Sequence, residues 1–162
     1  MMAQNKDLTL QDLIPGGKNY FHFVPKNLSQ LQWNGDSYLY AKGDTMKIVS
    51  MPKMKEGVAF TCTTLNEALI ASGKKVIGRL PYFSYPYKGK TVLSFMSNKE
   101  LLHYDYAANK IIASYNLNPN LANFDFCPEN NCLAFTEGNN LKFVSADNKV
   151  TTVTSETAEG VV

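Results

Sequence analysis

Phe124-Asp-Phe-Cys-Pro-Glu-Asn-Asn-Cys-Leu-Ala-Phe135 reads as a complete β-hairpin. Phe124 and Phe126 alternate with Asp125 at the period of a half-buried strand, Pro128 to Asn131 are turn formers, and Leu133 to Phe135 resume the strand. A single hairpin cannot bury its own apolar face and needs neighbours. The chain offers them in Tyr38-Leu-Tyr40 followed by Met46 to Val49, in Val92 to Phe95 followed by Leu101 to Tyr104, and in Leu133 to Phe135 followed by Leu141 to Val144.

Setting Leu39, Leu93 and Leu133 in register aligns a short polar gap and a second strand each time, with Trp33, Tyr87 and Cys127 upstream at the same distance. The spacings are close to the roughly 40–50 residue period of a four-stranded propeller blade. Ile111 to Tyr115 and Val150 to Val153 supply a further strand to the later two units. The expected fold is therefore all-β, a partial β-propeller of about three four-stranded blades with one or two short helices. Three unrelated hairpins of a β-sandwich are the competing architecture.

Composition narrows the function classes. The 162 residues suffice for one domain with a real core, burying roughly two-thirds of the unfolded surface. Hydrophobic content is 44% and aromatic content 12%, mostly Tyr and Phe, as suits a β-rich protein. The formal net charge is +2 and Arg79 is the only arginine, so no arginine cluster exists to grip phosphates, and nucleic acid is not an expected partner. Lys53-Met-Lys55 and Lys74-Lys75 read as solvated turns. No apolar run approaches the roughly 18 residues of a membrane span, and no signal-peptide pattern opens the chain. Met1-Met2 reads as a start codon added ahead of a mature N-terminus, although a cytoplasmic protein would look the same.

Along the chain, Thr9-Leu-Gln-Asp12 has the cap and acidic third residue of a helix start, and Pro15-Gly-Gly17 stops that helix at once, giving a short helix within 8–17. The run Tyr20 to Val24 is apolar on both faces, and its His22 has no ligand-spaced partner. The first blade is placed at 28–60, opening with Leu31-Gln-Trp33 and turning at Asn34-Gly-Asp36. Thr64-Leu-Asn-Glu67 predicts a capped helix inserted over 64–73, with Gly73 at its left-handed end. The second blade is placed at 80–118 and the third at 121–154. Residues 155–162, ending on the strand-prone Val161-Val162, are expected to begin a next segment cut short.

Three cysteines cannot all pair internally. Cys127 and Cys132 flank the four-residue turn of the hairpin, a spacing that could set them opposite each other at disulfide distance. An oxidised pair fits an extracytoplasmic protein, and two small hydrophobes in a reducing compartment fit the residues equally well. Cys62 is most simply a core residue.

Catalytic signatures are absent. The sequence holds no Gly-x-Ser-x-Gly elbow, no Gly-rich phosphate loop and no His-Glu-x-x-His, so no cofactor or metal is expected. His22 and His103 lie near no recognisable nucleophile, and His103 reads as an ordinary strand residue. Asp125 and Glu129 bracket an exposed turn, and Glu156 and Glu159 sit in a polar segment, so neither pair reads as a catalytic carboxylate couple. No catalytic, substrate-binding or metal residue is assigned; by its own residues the chain is a binding or scaffold module.

Leu8-Thr-Leu-Gln-Asp-Leu-Ile-Pro-Gly-Gly-Lys18, followed by Leu31-Gln-Trp-Asn-Gly-Asp36, closely resembles the start of mature dipeptidyl peptidase IV and prolyl tripeptidyl peptidase enzymes of Bacteroides-type bacteria. Residues 124–135 resemble their blade hairpin, usually Phe-Ser-Pro-Asp-Gly-x-x-Leu-Ala-Phe, with Cys127 in place of the Ser and Glu129-Asn130 in place of Asp-Gly. The resemblance implies a fragment of an eight-bladed propeller that is followed in the parent chain by an α/β-hydrolase domain carrying Ser, Asp and His. Such enzymes release di- or tripeptides after proline from peptide N-termini. It further implies a periplasmic or secreted location, a hydrolase domain and a peptide substrate as partners, and a fragment that gates access without catalysing. No catalytic residue carries over, and Arg79 lies outside the hairpin where some dipeptidyl peptidases hold the substrate carbonyl. Excised blades leave open sheet edges, so self-association by edge pairing is expected. A different class remains in view: a free-standing periplasmic β-repeat protein binding peptide or glycan through exposed tyrosines such as Tyr82, Tyr85 and Tyr87.

Overall fold

The computed structural model describes residues 9–23, 27–117 and 121–155. Two single helical turns, α1 (Leu10–Leu13) and α2 (Tyr20–Phe23), precede the sheets. The first sheet holds β1 (Ser29–Asn34), β2 (Ser37–Lys42), β3 (Thr45–Ser50) and β4 (Lys55–Thr61), and helix α3 (Cys62–Ala71) follows it directly. The second holds β5 (Val92–Ser97), β6 (Glu100–Asp105) and β7 (Lys110–Asn116). The third holds β8 (Leu121–Cys127), β9 (Cys132–Glu137), β10 (Asn140–Ser145) and β11 (Val150–Thr152). Each sheet is an antiparallel meander in chain order, four, three and four strands wide, and together they form a partial propeller.

Around its turn the opening hairpin pairs as its residues predict, while a register shift between Ala122 and Asp125 leaves Phe124 46% exposed. β8 and β9 pair with Phe126 opposite Leu133 and Cys127 opposite Cys132, around the turn at Pro128 to Asn131. In the second sheet the fourth-strand position is taken by the segment 81–90, reduced to one bridge between Ser84 and Ser94. Pro81 and Pro86 lack the N–H a full strand would need.

Strand parity divides the core in two. Leu93, Phe95, Leu102 and Tyr104 turn one face of the second sheet onto Leu39, Met46 and Phe60 of the first sheet and onto Leu65, Ala68 and Leu69 of α3. Leu101 and Tyr115 turn its other face onto Leu133, Phe135 and Val144 of the third. Since successive side chains of a strand point to opposite faces, β6 contributes to both cores, and Leu101 to Tyr104 are all buried.

A ladder of side-chain amides joins the first sheet to the second. Gln30 donates to the Pro81 carbonyl at 3.0 Å and accepts from the Phe83 N–H at 3.2 Å. Gln32 donates to the Phe83 carbonyl at 2.8 Å. Asn34 donates to the Lys90 carbonyl at 2.6 Å and accepts from the Gly89 N–H at 2.7 Å. These amides therefore supply backbone partners that a neighbouring strand would otherwise provide. The turn beside them is tight: Gly35, at φ +61°, has no room for a Cβ without pressing within 3.2 Å of the Gly89 Cα.

Helix α3 begins three residues earlier than the Thr64 cap predicted from sequence. Thr61 is the N-cap, its hydroxyl accepting from the Thr64 N–H at 3.2 Å while the Thr64 hydroxyl accepts from the Thr61 N–H at 2.9 Å. The reason is burial: starting at Cys62 places Cys62, Leu65, Ala68 and Leu69 on one inward stripe. Gly73, at φ +69°, ends the helix, with the Gly73 N–H donating to the Ile70 carbonyl and the Lys74 N–H to the Leu69 carbonyl. Lys74 departs from the solvated-turn reading. Its Nζ lies 2.6 Å from the Glu100 carboxylate and 2.9 Å from the Ser114 hydroxyl, tying the helix end to the second sheet. The apolar run from Tyr20 gives one helical turn, with His22 exposed.

Candidate functional site

No catalytic constellation forms among the described residues. His22 is exposed on α2, while Asp125 and Glu129 are exposed and bracket the turn. Glu156 and Glu159 lie outside the described residues. No group of three His, Cys, Asp or Glu among the described residues could hold a metal ion, and no described helix is long and apolar enough to cross a membrane. What the fold does assemble is three local features: a buried histidine, an open groove and a cysteine pair.

His103 is not the ordinary strand residue expected from sequence. Its place in β6, on the face turned to the third sheet, leaves it fully buried. Phe126 stands edge-on at 4.5 Å between ring centroids, with Tyr115 at 5.3 Å and Tyr87 at 5.9 Å. Among the described residues, both imidazole nitrogens are without a hydrogen-bond partner. Burial holds the ring neutral, lowering its pKa from 6.5 to about 4. The same burial pushes the Tyr115 hydroxyl up to about 12, and that hydroxyl donates to the Asn131 carbonyl at 3.2 Å. Tyr87 donates to the Asn131 side-chain oxygen, so the hairpin turn of the third sheet is seated on the two tyrosines that enclose His103.

A groove of about 760 Å³ opens between the start of the first sheet and residues 77–82. Gln30, Asp44, Arg79 and Tyr82 line it over an apolar floor that includes Ile77 and Met96. Arg79 has no ion-pair partner among the described residues. The groove thus offers a guanidinium, a carboxylate and apolar surface in one concavity, chemistry suited to an extended polar chain. Of the three tyrosines expected to be exposed, only Tyr82 is, at 86%. Tyr85 and Tyr87 are half-buried, because the segment carrying them fills the missing strand position and packs against the second and third sheets.

Cys127 and Cys132 face each other across β8 and β9, both half-buried, and Asn130 donates toward the Cys127 sulfur at 3.7 Å. Cys62 is buried at the start of α3. Sequence reasoning passed over the amide ladder, although its signal was present: Gln30, Gln32 and Asn34 recur at the strand period, with Leu31 and Trp33 between them.

No family model matches the chain. A candidate dipeptidyl aminopeptidase IV of Bacteroides ovatus superposes over 96% of this chain with a TM-score of 0.71 and 28% sequence identity, and the match covers 21% of that protein. Dipeptidyl peptidase 4 of Porphyromonas gingivalis superposes over 99% of this chain at a TM-score of 0.51 and 11% identity, covering 23% of that protein, a likeness of fold. The chain spans about a fifth of the length of these solved structures. Over nearly all of its residues, this chain is similar to an N-terminal propeller segment of a bacterial dipeptidyl peptidase IV-type protein.

Proposed function

We propose that this chain is the opening part of the β-propeller of a periplasmic or secreted serine exopeptidase that releases di- or tripeptides after proline from peptide N-termini. The reading is supported above all by the likeness to the Bacteroides ovatus protein, at 28% identity over 96% of the chain. On this reading the propeller walls off the active site and admits narrow, unfolded peptide ends, while an α/β-hydrolase domain elsewhere in the parent chain carries Ser, Asp and His. The segment scaffolds and gates, and is not catalytic alone.

Surfaces left bare in the isolated segment are consistent with this role. Leu31, Trp33 and Val58, on the face of the first sheet away from its core, are 50%, 64% and 56% exposed. More of the parent propeller would cover them. Freed from the parent, strand edges such as β4 would pair with a second copy, giving a light-scattering mass that grows with concentration; a constant monomer mass would contradict that pairing.

The functional test is an assay of the whole gene product beside residues 1–162 on Gly-Pro and Ala-Ala-Pro chromogenic substrates. The whole product is expected to turn over one or both, and the segment neither. An inactive, correctly folded whole product contradicts the reading. The Arg79–Tyr82 groove favours a second reading, a free-standing β-repeat protein that binds peptide or glycan. Saturable calorimetric heats from such ligands on the isolated segment, abolished by Arg79→Ala, would support it.

A further inference from the structure

We propose that Cys127 and Cys132 form a cross-strand disulfide that staples the hairpin turn seated on the second sheet, a modification independent of the peptidase reading. Three observations carry it. The two residues are direct register partners on adjacent antiparallel strands, where Cα atoms lie roughly 4.5–5.5 Å apart, inside the span a disulfide bridges without backbone movement. Parity turns both side chains to the face opposite Leu133, away from the buried core, and both are half-buried, so an oxidant can reach them. Cys62, the third cysteine, is buried at the start of α3, its sulfur 3.8 Å from the Ile77 carbonyl, and cannot compete for either partner without unpacking the helix.

The chemistry balances with a thiol–disulfide oxidant such as oxidised glutathione. One thiolate of the pair attacks a sulfur of the oxidant and expels one glutathione. The second thiolate then attacks the mixed disulfide and expels the other, so the protein loses two protons and two electrons and two reduced glutathiones form. Burial and the facing Cys127 sulfur both push the Cys132 thiol up, which makes it a poor leaving group. The bridge would serve as a staple in an oxidising compartment.

Its structural consequence falls on the turn. Asn131 sits inside the loop the bridge closes and accepts from both Tyr87 and Tyr115. Fixing that loop holds the tyrosines in place around His103.

The test uses the intact chain. Incubate folded protein with oxidised glutathione, alkylate, denature, and count the remaining thiols by mass spectrometry. Two of the three should be lost, with Cys62 alone alkylated. Cleavage after Glu129 should then leave two fragments that separate only on reduction. Cys62→Ser should behave identically, whereas Cys132→Ser should lose no thiol to an internal bridge. Three alkylated cysteines after prolonged oxidation, or a bridge that includes Cys62 or links two chains, would overturn the proposal.

Discussion

The second sheet and the first differ in what covers them. In β6 four consecutive residues, Leu101 to Tyr104, are buried, because a sheet packs on either side. In β1 the inward positions carry amides, and the apolar Leu31 and Trp33 point out. A strand that hides Gln30, Gln32 and Asn34 while showing Trp33 inverts the usual half-buried pattern. The difference teaches that position in the array, not strand composition, decides burial here. A middle sheet owns two cores, and the first sheet owns one core and a second face on which exposed Leu31, Trp33 and Val58 stand beside buried Tyr40 and Val49.

Mutations can break or sharpen this contrast. Leu102→Ala empties a fully buried site in the middle sheet and should cost about 2–5 kcal/mol in urea unfolding. A loss under about 1 kcal/mol would mean that the two-sided core is loosely packed.

The next effect is acid sensitivity of the second face. His103 is held neutral by burial, its pKa lowered from 6.5 to about 4, among ring partners of which only Tyr87 and Tyr115 titrate. Between those values the unfolded chain binds more protons than the folded one. Stability is therefore complete above pH 6.5 and is lost as pH falls toward 4, by about 3 kcal/mol. Unfolding midpoints measured across that window should show the slope in the natural chain and lose most of it in His103→Phe. An equal slope in both would place the acid sensitivity elsewhere.

Gln32→Ala should cost about 1–2 kcal/mol, since it leaves the Phe83 carbonyl without its amide donor. Amide exchange should quicken in residues 81–90 before it does in β6. Smallest of all, Val58→Thr on the second face of the first sheet should change stability by less than about 0.5 kcal/mol. A cost comparable to that of Leu102→Ala would erase the distinction between middle and outer sheets.

Much of the fold was legible because β-structure writes a period of two into the chain. The pairs Leu39–Met46, Leu93–Leu101 and Leu133–Leu141 marked the strands, and Asn34-Gly-Asp36 and Pro128 to Asn131 marked the turns. The start of α3 was misplaced because Thr61 and Thr64 both have cap chemistry, and only the burial of Cys62 decides between them. The surroundings of His103 were hidden for a different reason. Its three rings come from β7, β8 and the segment before β5, so no local pattern brings them together. The exposure of Tyr85 and Tyr87 was misjudged likewise, since a segment with two prolines gives no sign that it will fill a strand position. That Cys127 and Cys132 stand opposite each other on β8 and β9 was readable because their spacing is local to one hairpin.

Reading the coding sequence past the codon for Val162 tests the central claim most directly. The account predicts further strand–turn–strand units at a roughly 40–50 residue spacing, then a Gly-x-Ser-x-Gly segment in an α/β-hydrolase domain. A stop codon directly after Val162 would contradict it, leaving the second face of the first sheet to some other partner.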